Sequence, residues 1–387
     1  MTDFRRLQNA DVAGKTALVR VDFNVPRDEH GGVSDDTRLR AALPTIRHLR
    51  ENGAKVMLLS HFGRPDGEAD PDLSLHFLQG NLSNLIGEAV GFGADSDANI
   101  VLLENTRFEA GETEGDAELA KRWAGMGDLF VLDAFSSAHR AHVSVTGIAD
   151  HLPAYAGLGM ERELDHIGQA LDHPATPVMA IVGGAKVSTK IGVLEHLVTK
   201  LDTLVIGGGM ANTFLAAQGH PVGKSLQEPD QHPKAHDILK AAKASGCTVV
   251  LPRDVVVADR FEANADTRVA GLDDVAPHEM ILDAGPDTVE AIMDAMDTSR
   301  TLVWNGPLGA FETPPFETST VECAKYAAKL TRSDKLISVA GGGDTVAALA
   351  MAGVTDDFTF VSTAGGAFLE WMEGRELPGV EILRIAP

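Results

Sequence analysis

Short apolar runs separated by helix-patterned stretches constrain this chain more than any other feature of it. In the first half the runs are Ala17–Val21, Lys55–Leu59, Ile100–Leu103 and Leu129–Leu132. In the second half they are Val178–Val182, Thr203–Ile206, Thr248–Leu251, Thr301–Trp304, Leu336–Val339 and Phe358–Val361. Such runs, too short for buried helices and alternating with amphipathic stretches, are the pattern of βαβ units, whose helices cover both faces of a parallel sheet. The expected fold class is α/β: three-layer αβα domains, Rossmann-like, with parallel sheets.

At 387 residues the chain exceeds what one core ordinarily supports, so two domains are expected. Between the halves lies Leu158–Leu171, in which Met160, Leu164, Ile167 and Leu171 share one helical face and Pro174 and Pro177 follow its end. It reads as a connecting helix over 158–172, between a first domain of residues 1–157 and a second of 173–366. An ordinary helix within one domain is the other reading of that stretch.

A net charge of -23 argues against nonspecific binding to nucleic acid or to an anionic membrane, though local charge can still build an anion site. Cys247 and Cys323 form no CxxC pair, which suggests neither a disulfide framework nor a thiolate zinc site and fits a reducing compartment. Met1-Thr-Asp-Phe-Arg-Arg lacks the apolar stretch of a signal peptide, and no apolar run is long enough to span a bilayer. A cytoplasmic location is expected.

In open parallel sheets, ligands bind beyond the carboxyl ends of the strands. In the first half those ends carry Asp22-Phe23-Asn24, Ser60-His61-Phe62-Gly63-Arg64, Glu104-Asn105-Thr106-Arg107 and the stretch from Asp133 to His139 and Arg140, with Arg38 in the polar segment after the first run. An acidic chain thus gathers four arginines toward one edge, and guanidinium forks match carboxylate and phosphate. The competing reading pairs each arginine with a neighbouring acid such as Asp22 or Glu104.

The second half ends its strands on glycine: Gly183-Gly-Ala-Lys186, Gly207-Gly208-Gly-Met-Ala-Asn212, Asn305-Gly-Pro and on to Glu312, Gly341-Gly342-Gly343-Asp344-Thr345, and Ser362-Thr-Ala-Gly-Gly366. Glycine lets backbone approach a flat ring or a phosphate chain. The run from Lys335 to Leu349 reads as strand, glycine turn and helix start, aiming backbone N–H groups at one point, where Asp344 can hold a metal. Lys186 and Lys190, four apart, are expected on one face of an early helix, reaching the same polyphosphate.

Other motifs fall short. Gln218–Ser225 resembles a Walker A loop but has glutamine where glycine is needed, and no GxGxxG is complete. His139 with His142, and His232 with His236, lack the further ligands of a metal site.

The stretches Arg20–Pro26, Ser60–Pro65, Leu103–Phe108, Ala138–His142, Gly183–Val187, Gly207–Met210, Trp304–Pro307 with Phe311-Glu312, and Gly341–Thr345 together resemble phosphoglycerate kinase, from Thr16 to Leu383. That resemblance implies reversible transfer of the acyl phosphate of 1,3-bisphosphoglycerate to MgADP, giving 3-phosphoglycerate and ATP, by a monomer whose last residues, 367–387, pack back on the first domain. It implies that Asp22, Phe23, Asn24, His61, Phe62, Gly63, Arg64, Arg107, His139 and Arg140 form the substrate site. Arg38 and Lys186 would stabilise the moving phosphoryl group from two sides, with backbone N–H groups of Gly343 and Gly366. Lys190, Gly208, Asn305, Glu312 and Gly341 to Thr345 would hold the nucleotide, with Mg2+ on Asp344. A nicotinamide-dependent dehydrogenase and an inactive scaffold are the alternatives, the first weakened by the missing third glycine and the second by the retained Arg38, Lys186, Glu312 and Asp344.

The chain departs from that family's commonest pattern in several places. Leu132 stands for asparagine, Ser136-Ser137 for Gly-Thr, Thr189 for aspartate, Ala364 for glycine and Phe368 for serine. Gly93–Asn99 is short, as if a helix before Ile100 were missing.

Overall fold

The structure, a computed structural model, describes residues 4–385. The chain divides into two compact units, one running to Asp165 and resuming at Glu376, the other His166–Arg375.

The first unit is built on β1 (Thr16–Val21), β2 (Lys55–Leu59), β3 (Val90–Phe92), β4 (Ile100–Leu102), β5 (Leu129–Asp133) and β6 (Ala154–Ala156). They form one sheet in the order β3-β4-β2-β1-β5-β6, every pair parallel. Leu18 of β1 lies between Met57 and Phe130, and all three are buried, because helices on both faces leave no solvated side. From β1 the chain steps one way to β2, and from β5 the other way to β6. The crevice between the carboxyl ends of β1 and β5 is therefore the topological switch point.

β3 and β6 were not legible as apolar runs, and β3 accounts for the short Gly93–Asn99 segment. It pairs with β4 in parallel, Val90 opposite Ile100, and the link between them contains no helix. The turn folds so tightly that a Cβ on Gly91 would lie 1.9 Å from Ser96 Oγ. The returning segment starts later than residue 367: Gly379 N–H donates to the Ala138 carbonyl at 2.8 Å, and Leu377, Val380 and Leu383 are buried. Residues 367–375 fall in the second unit, where the helix Gly366–Met372 packs on the helix Ile191–Leu197.

The second unit holds β7 (Val178–Val182), β8 (Thr203–Ile206), β9 (Thr248–Val250), β10 (Asp254–Ala258), β11 (Thr267–Gly271), β12 (Met280–Ala284), β13 (Thr301–Asn305), β14 (Ile337–Gly341) and β15 (Phe360–Ser362). Six of them form a parallel sheet ordered β15-β14-β13-β7-β8-β9, whose switch point lies between β13 and β7. The other three form an antiparallel sheet, β11-β10-β12. This small sheet is an addition to the expected architecture, and β11 escaped notice because four of its five residues are exposed. Among the described residues no helix is long and apolar enough to cross a membrane.

Candidate active site

At the first switch point, Arg38, from the helix Thr37–Glu51, straddles Asp22 at the end of β1. Its Nη1 lies 3.1 and 3.0 Å from the two carboxylate oxygens and donates to the Asn24 carbonyl at 2.9 Å. Its Nε and Nη2 make no bond among the described residues. Asn24 Oδ1 accepts from Gly63 N–H at 3.0 Å, the Gly63 carbonyl accepts from Arg107 Nη1 at 2.6 Å, and Phe23 N–H donates to Ser60 Oγ at 2.8 Å. The strand-end loops are thus stitched into one floor. Phe62 is buried beneath Arg27, whose guanidinium lies 4.6 Å from its ring centre. Arg64 and Arg140 are exposed, and Arg140 Nε donates to His139 Nε2 at 3.2 Å.

Among the described residues, only Arg38 of the four candidate arginines is paired with an acid. Glu104 accepts instead from Ser74 Oγ at 2.7 Å and Leu75 N–H at 2.9 Å. Arg64, Arg107 and Arg140 form no ion pair among the described residues. Burial, then the charges of Arg140 and Arg20, lowers the Arg107 pKa, with Arg64 adding to the effect and Glu112 opposing it. Such a set of mutually repelling cations suits an anion.

Arg20 was not singled out as a site residue, yet it organises the floor. It is buried within β1, donates to Ser144 Oγ at 3.0 Å and Ser137 Oγ at 3.3 Å, and meets His61 Nδ1 at 3.0 Å. Ser144 in turn donates to the buried Glu112, from N–H at 2.9 Å and also from Oγ. Burial, then the Arg20 charge, pushes His61 down to about 2, so the ring is neutral at pH 7. With Nδ1 accepting from Arg20, the proton sits on Nε2. The available signal was an arginine interrupting a buried apolar run.

In the second unit the glycine-ended strands meet as closely as their composition implies. A Cβ on Gly183, after β7, would lie 1.9 Å from the Pro307 carbonyl oxygen, after β13. Asn305 ties this switch point together: its Nδ2 donates to the Gly341 carbonyl at 2.8 Å, and its side-chain and backbone oxygens accept from Lys190 Nζ at 2.5 and 3.1 Å. Lys190 also donates to the Gly183 carbonyl at 2.6 Å. Burial lowers this ammonium to about 8, against the pull of Asp344. Thr345 Oγ1 accepts from Gly306 N–H at 2.7 Å, fixing the first turn of the helix Gly343–Ala352 on which Asp344 is exposed. Gly341 packs on the Phe368 ring, so the helix that begins at Gly366 stands beside the end of β14.

Alongside runs a cavity of about 590 Å³. Gly207, Gly208 and Gly209 line one part of it, Leu282, Leu308 and Phe311 another, and Glu312 and Asp344 contribute carboxylates. β10 and β12 of the small sheet supply Val255, Met280 and Ile281 to its lining. An apolar cavity with a glycine wall and few polar groups suits a flat ring carrying a polar tail.

Lys186 and Lys190 do not share a helix face. A single 3-10 turn, Val187–Thr189, separates them, and both flanking residues leave helical backbone geometry, with φ of -134° and -133°. Lys186 is exposed, whereas Lys190 turns inward onto Asn305. The spacing argument fails because it presumes 3.6 residues per turn through a stretch that has none.

A family model described as phosphoglycerate kinase matches residues 7–375. The chain belongs to the phosphoglycerate kinase family. It is 57% identical to the phosphoglycerate kinase of Maricaulis maris, over 100% of this chain and 99% of that one. It is also 57% identical to that of Caulobacter vibrioides, over 98% and 99%. The solved phosphoglycerate kinase of Coxiella burnetii superposes with a TM-score of 0.93 at 41% identity, covering 98% of this chain and 99% of that one. That of Pyrococcus horikoshii gives 0.80 at 30%, covering 98% of each. The activity is accordingly that of a phosphoglycerate kinase, a phosphotransferase acting on a carboxyl group, and the dehydrogenase and scaffold alternatives fall away.

Proposed function

We propose that the arginine-lined end of the first sheet takes 3-phosphoglycerate or 1,3-bisphosphoglycerate, and that the glycine-lined cavity of the second unit takes MgADP or MgATP. The observation that carries this reading is the unpaired positive charge around Arg107 in a chain of net charge -23. Asp22, Asn24, His61, Arg64, Arg107 and Arg140 hold the glycerate and its non-transferring phosphate, with Phe23, Phe62, Gly63 and His139 shaping the floor. Arg38, anchored by one nitrogen, keeps its Nε and Nη2 for the substrate carboxylate and the moving phosphoryl group.

On the nucleotide side, Lys190, Asn305 and Gly341 to Thr345 hold the phosphates, Gly208 lies against the base and Glu312 binds the ribose. Lys186, exposed and in no ion pair or side-chain hydrogen bond among the described residues, reaches the transferring group, where backbone N–H groups of Gly343 and Gly366 complete its cage. Asp344, an exposed carboxylate in the first turn of a helix, is the residue that would hold a magnesium ion, which would neutralise phosphate charge.

Phosphoryl transfer passes through a loose, charge-spread transition state, so positioning and positive charge do most of the catalysis and no nucleophilic side chain is required. The two ligand sets are carried by separate units, so in-line transfer requires the units to bring them together and exclude water. The chain acts as a cytoplasmic monomer, and the free thiols of Cys247 and Cys323 suit a reducing compartment. A coupled assay with 3-phosphoglycerate and MgATP, beside a nicotinamide-cofactor titration, tests the reading. Turnover without cofactor binding is expected; a folded protein with no turnover overturns it.

A further inference from the structure

One hydrogen bond across the first switch point involves no arginine. Ser136 Oγ, on the loop after β5, donates to Asp22 Oδ2, at the end of β1, at 2.6 Å. With it the carboxylate is held on both oxygens. Oδ1 accepts from Asn24 N–H and Arg38 Nη1, both at 3.1 Å, and Oδ2 accepts from Ser136 and from Arg38 Nη1 at 3.0 Å. Because Arg38 is anchored by Nη1 alone, the guanidinium can pivot about that nitrogen. What limits the pivot is the plane of the carboxylate, and Ser136 and Asn24 fix that plane from opposite ends.

We infer that Ser136 is a positioning residue: it locks the ionised Asp22 carboxylate in the orientation that aims the free edge of Arg38 at the substrate. The inference rests on the role given to Arg38 above. The charges facing Asp22 agree with it. Burial alone raises the acid's pKa, but the Arg38 charge from its helix, the Ser136 hydroxyl and the Arg20 charge from β1 hold it below the usual carboxylate range, while His61, neutral at pH 7, faces it from the loop after β2. Removing the hydroxyl takes one donor from an acid that burial alone would protonate more readily. The adjacent Ser137 offers an internal comparison, since it contacts Arg20, at 3.3 Å, and makes no bond to Asp22 among the described residues.

The test is the pH dependence of kcat and KM for Ser136→Ala, Ser136→Thr and Ser137→Ala, from about pH 3 to 8. For Ser136→Ala, kcat/KM for 3-phosphoglycerate falls roughly tenfold at neutral pH while KM for MgATP holds. Its acid limb moves up relative to wild type, a comparison in which the substrate phosphate's own titration is common to both proteins. Ser136→Thr restores both quantities, and Ser137→Ala leaves the acid limb in place. An unmoved acid limb in Ser136→Ala overturns the inference, as does a Ser136→Thr profile displaced from wild type. Adding Ser136→Ala to Asp22→Asn brings no further loss if the serine acts through Asp22; a full additional loss overturns it. Full turnover by Arg38→Ala would instead sink the underlying assignment of Arg38.

Discussion

Lys190 Nζ lies 2.5 Å from Asn305 Oδ1 and 3.1 Å from the Asn305 carbonyl, and no carboxylate bonds it among the described residues. A cation held by neutral oxygens in a buried place gives up its proton early, and this one does so at about 8.

On the proposed role of Lys190 in holding nucleotide phosphate, capture is expected to weaken on the alkaline side. kcat/KM for MgADP is expected to fall above about pH 8, and that limb is absent from Lys190→Met. The same substitution strands the Asn305 and Gly183 oxygens and costs about 1–3 kcal/mol of stability, measurable by urea unfolding.

Asp283 makes stability itself pH-dependent. It is buried in the cavity wall, and burial pushes its carboxyl up to about 7, although Ser319 and Ala284 donate hydrogen bonds to it. Burial raises Asp133 likewise, to about 6. An acid with a raised folded pKa binds its proton more tightly folded than unfolded. The stabilisation is full below the unfolded value of about 4 and is lost as pH rises through the folded one. The melting temperature is expected to drop between about pH 5 and 8, by the equivalent of a loss on the order of 2–4 kcal/mol, and Asp283→Asn flattens the upper part of that drop.

Two neighbouring glycines separate backbone need from ligand access. Gly342 has a φ of 95°, and a Cβ there would lie 2.7 Å from Asn305 Nδ2, whereas a Cβ on Gly343 meets nothing within 4 Å. Gly342→Ala is expected to cost about 1–3 kcal/mol and to raise KM for the nucleotide. Gly343→Ala leaves the melting temperature within about 2 °C of wild type, since the methyl strains no backbone.

The strand ends were legible because a fully buried strand announces itself as an apolar run, and whatever polar residue follows it must stand at the sheet's edge. Asp22, Arg107, Asn305 and Asp344 were all found in that way. Arg20 was not, because a charged residue inside such a run shows its role only through the partners that satisfy it, and Ser144, Ser137 and His61 come from distant parts of the chain. β11 was missed for the opposite reason: an edge strand with four of five residues exposed carries no apolar signal. The positions of Lys186 and Lys190 depended on two backbone angles that no spacing reveals.

The assignment of Arg38 and Lys186 to the moving phosphoryl group is tested most directly by the turnover of Arg38→Ala and Lys186→Ala under saturating 3-phosphoglycerate and MgATP. Groups that act mainly on the transition state lower kcat by about 10²–10³-fold while substrate affinities change by less than about tenfold, and that is the result expected of both variants. A kcat equal to wild type in either one would contradict it.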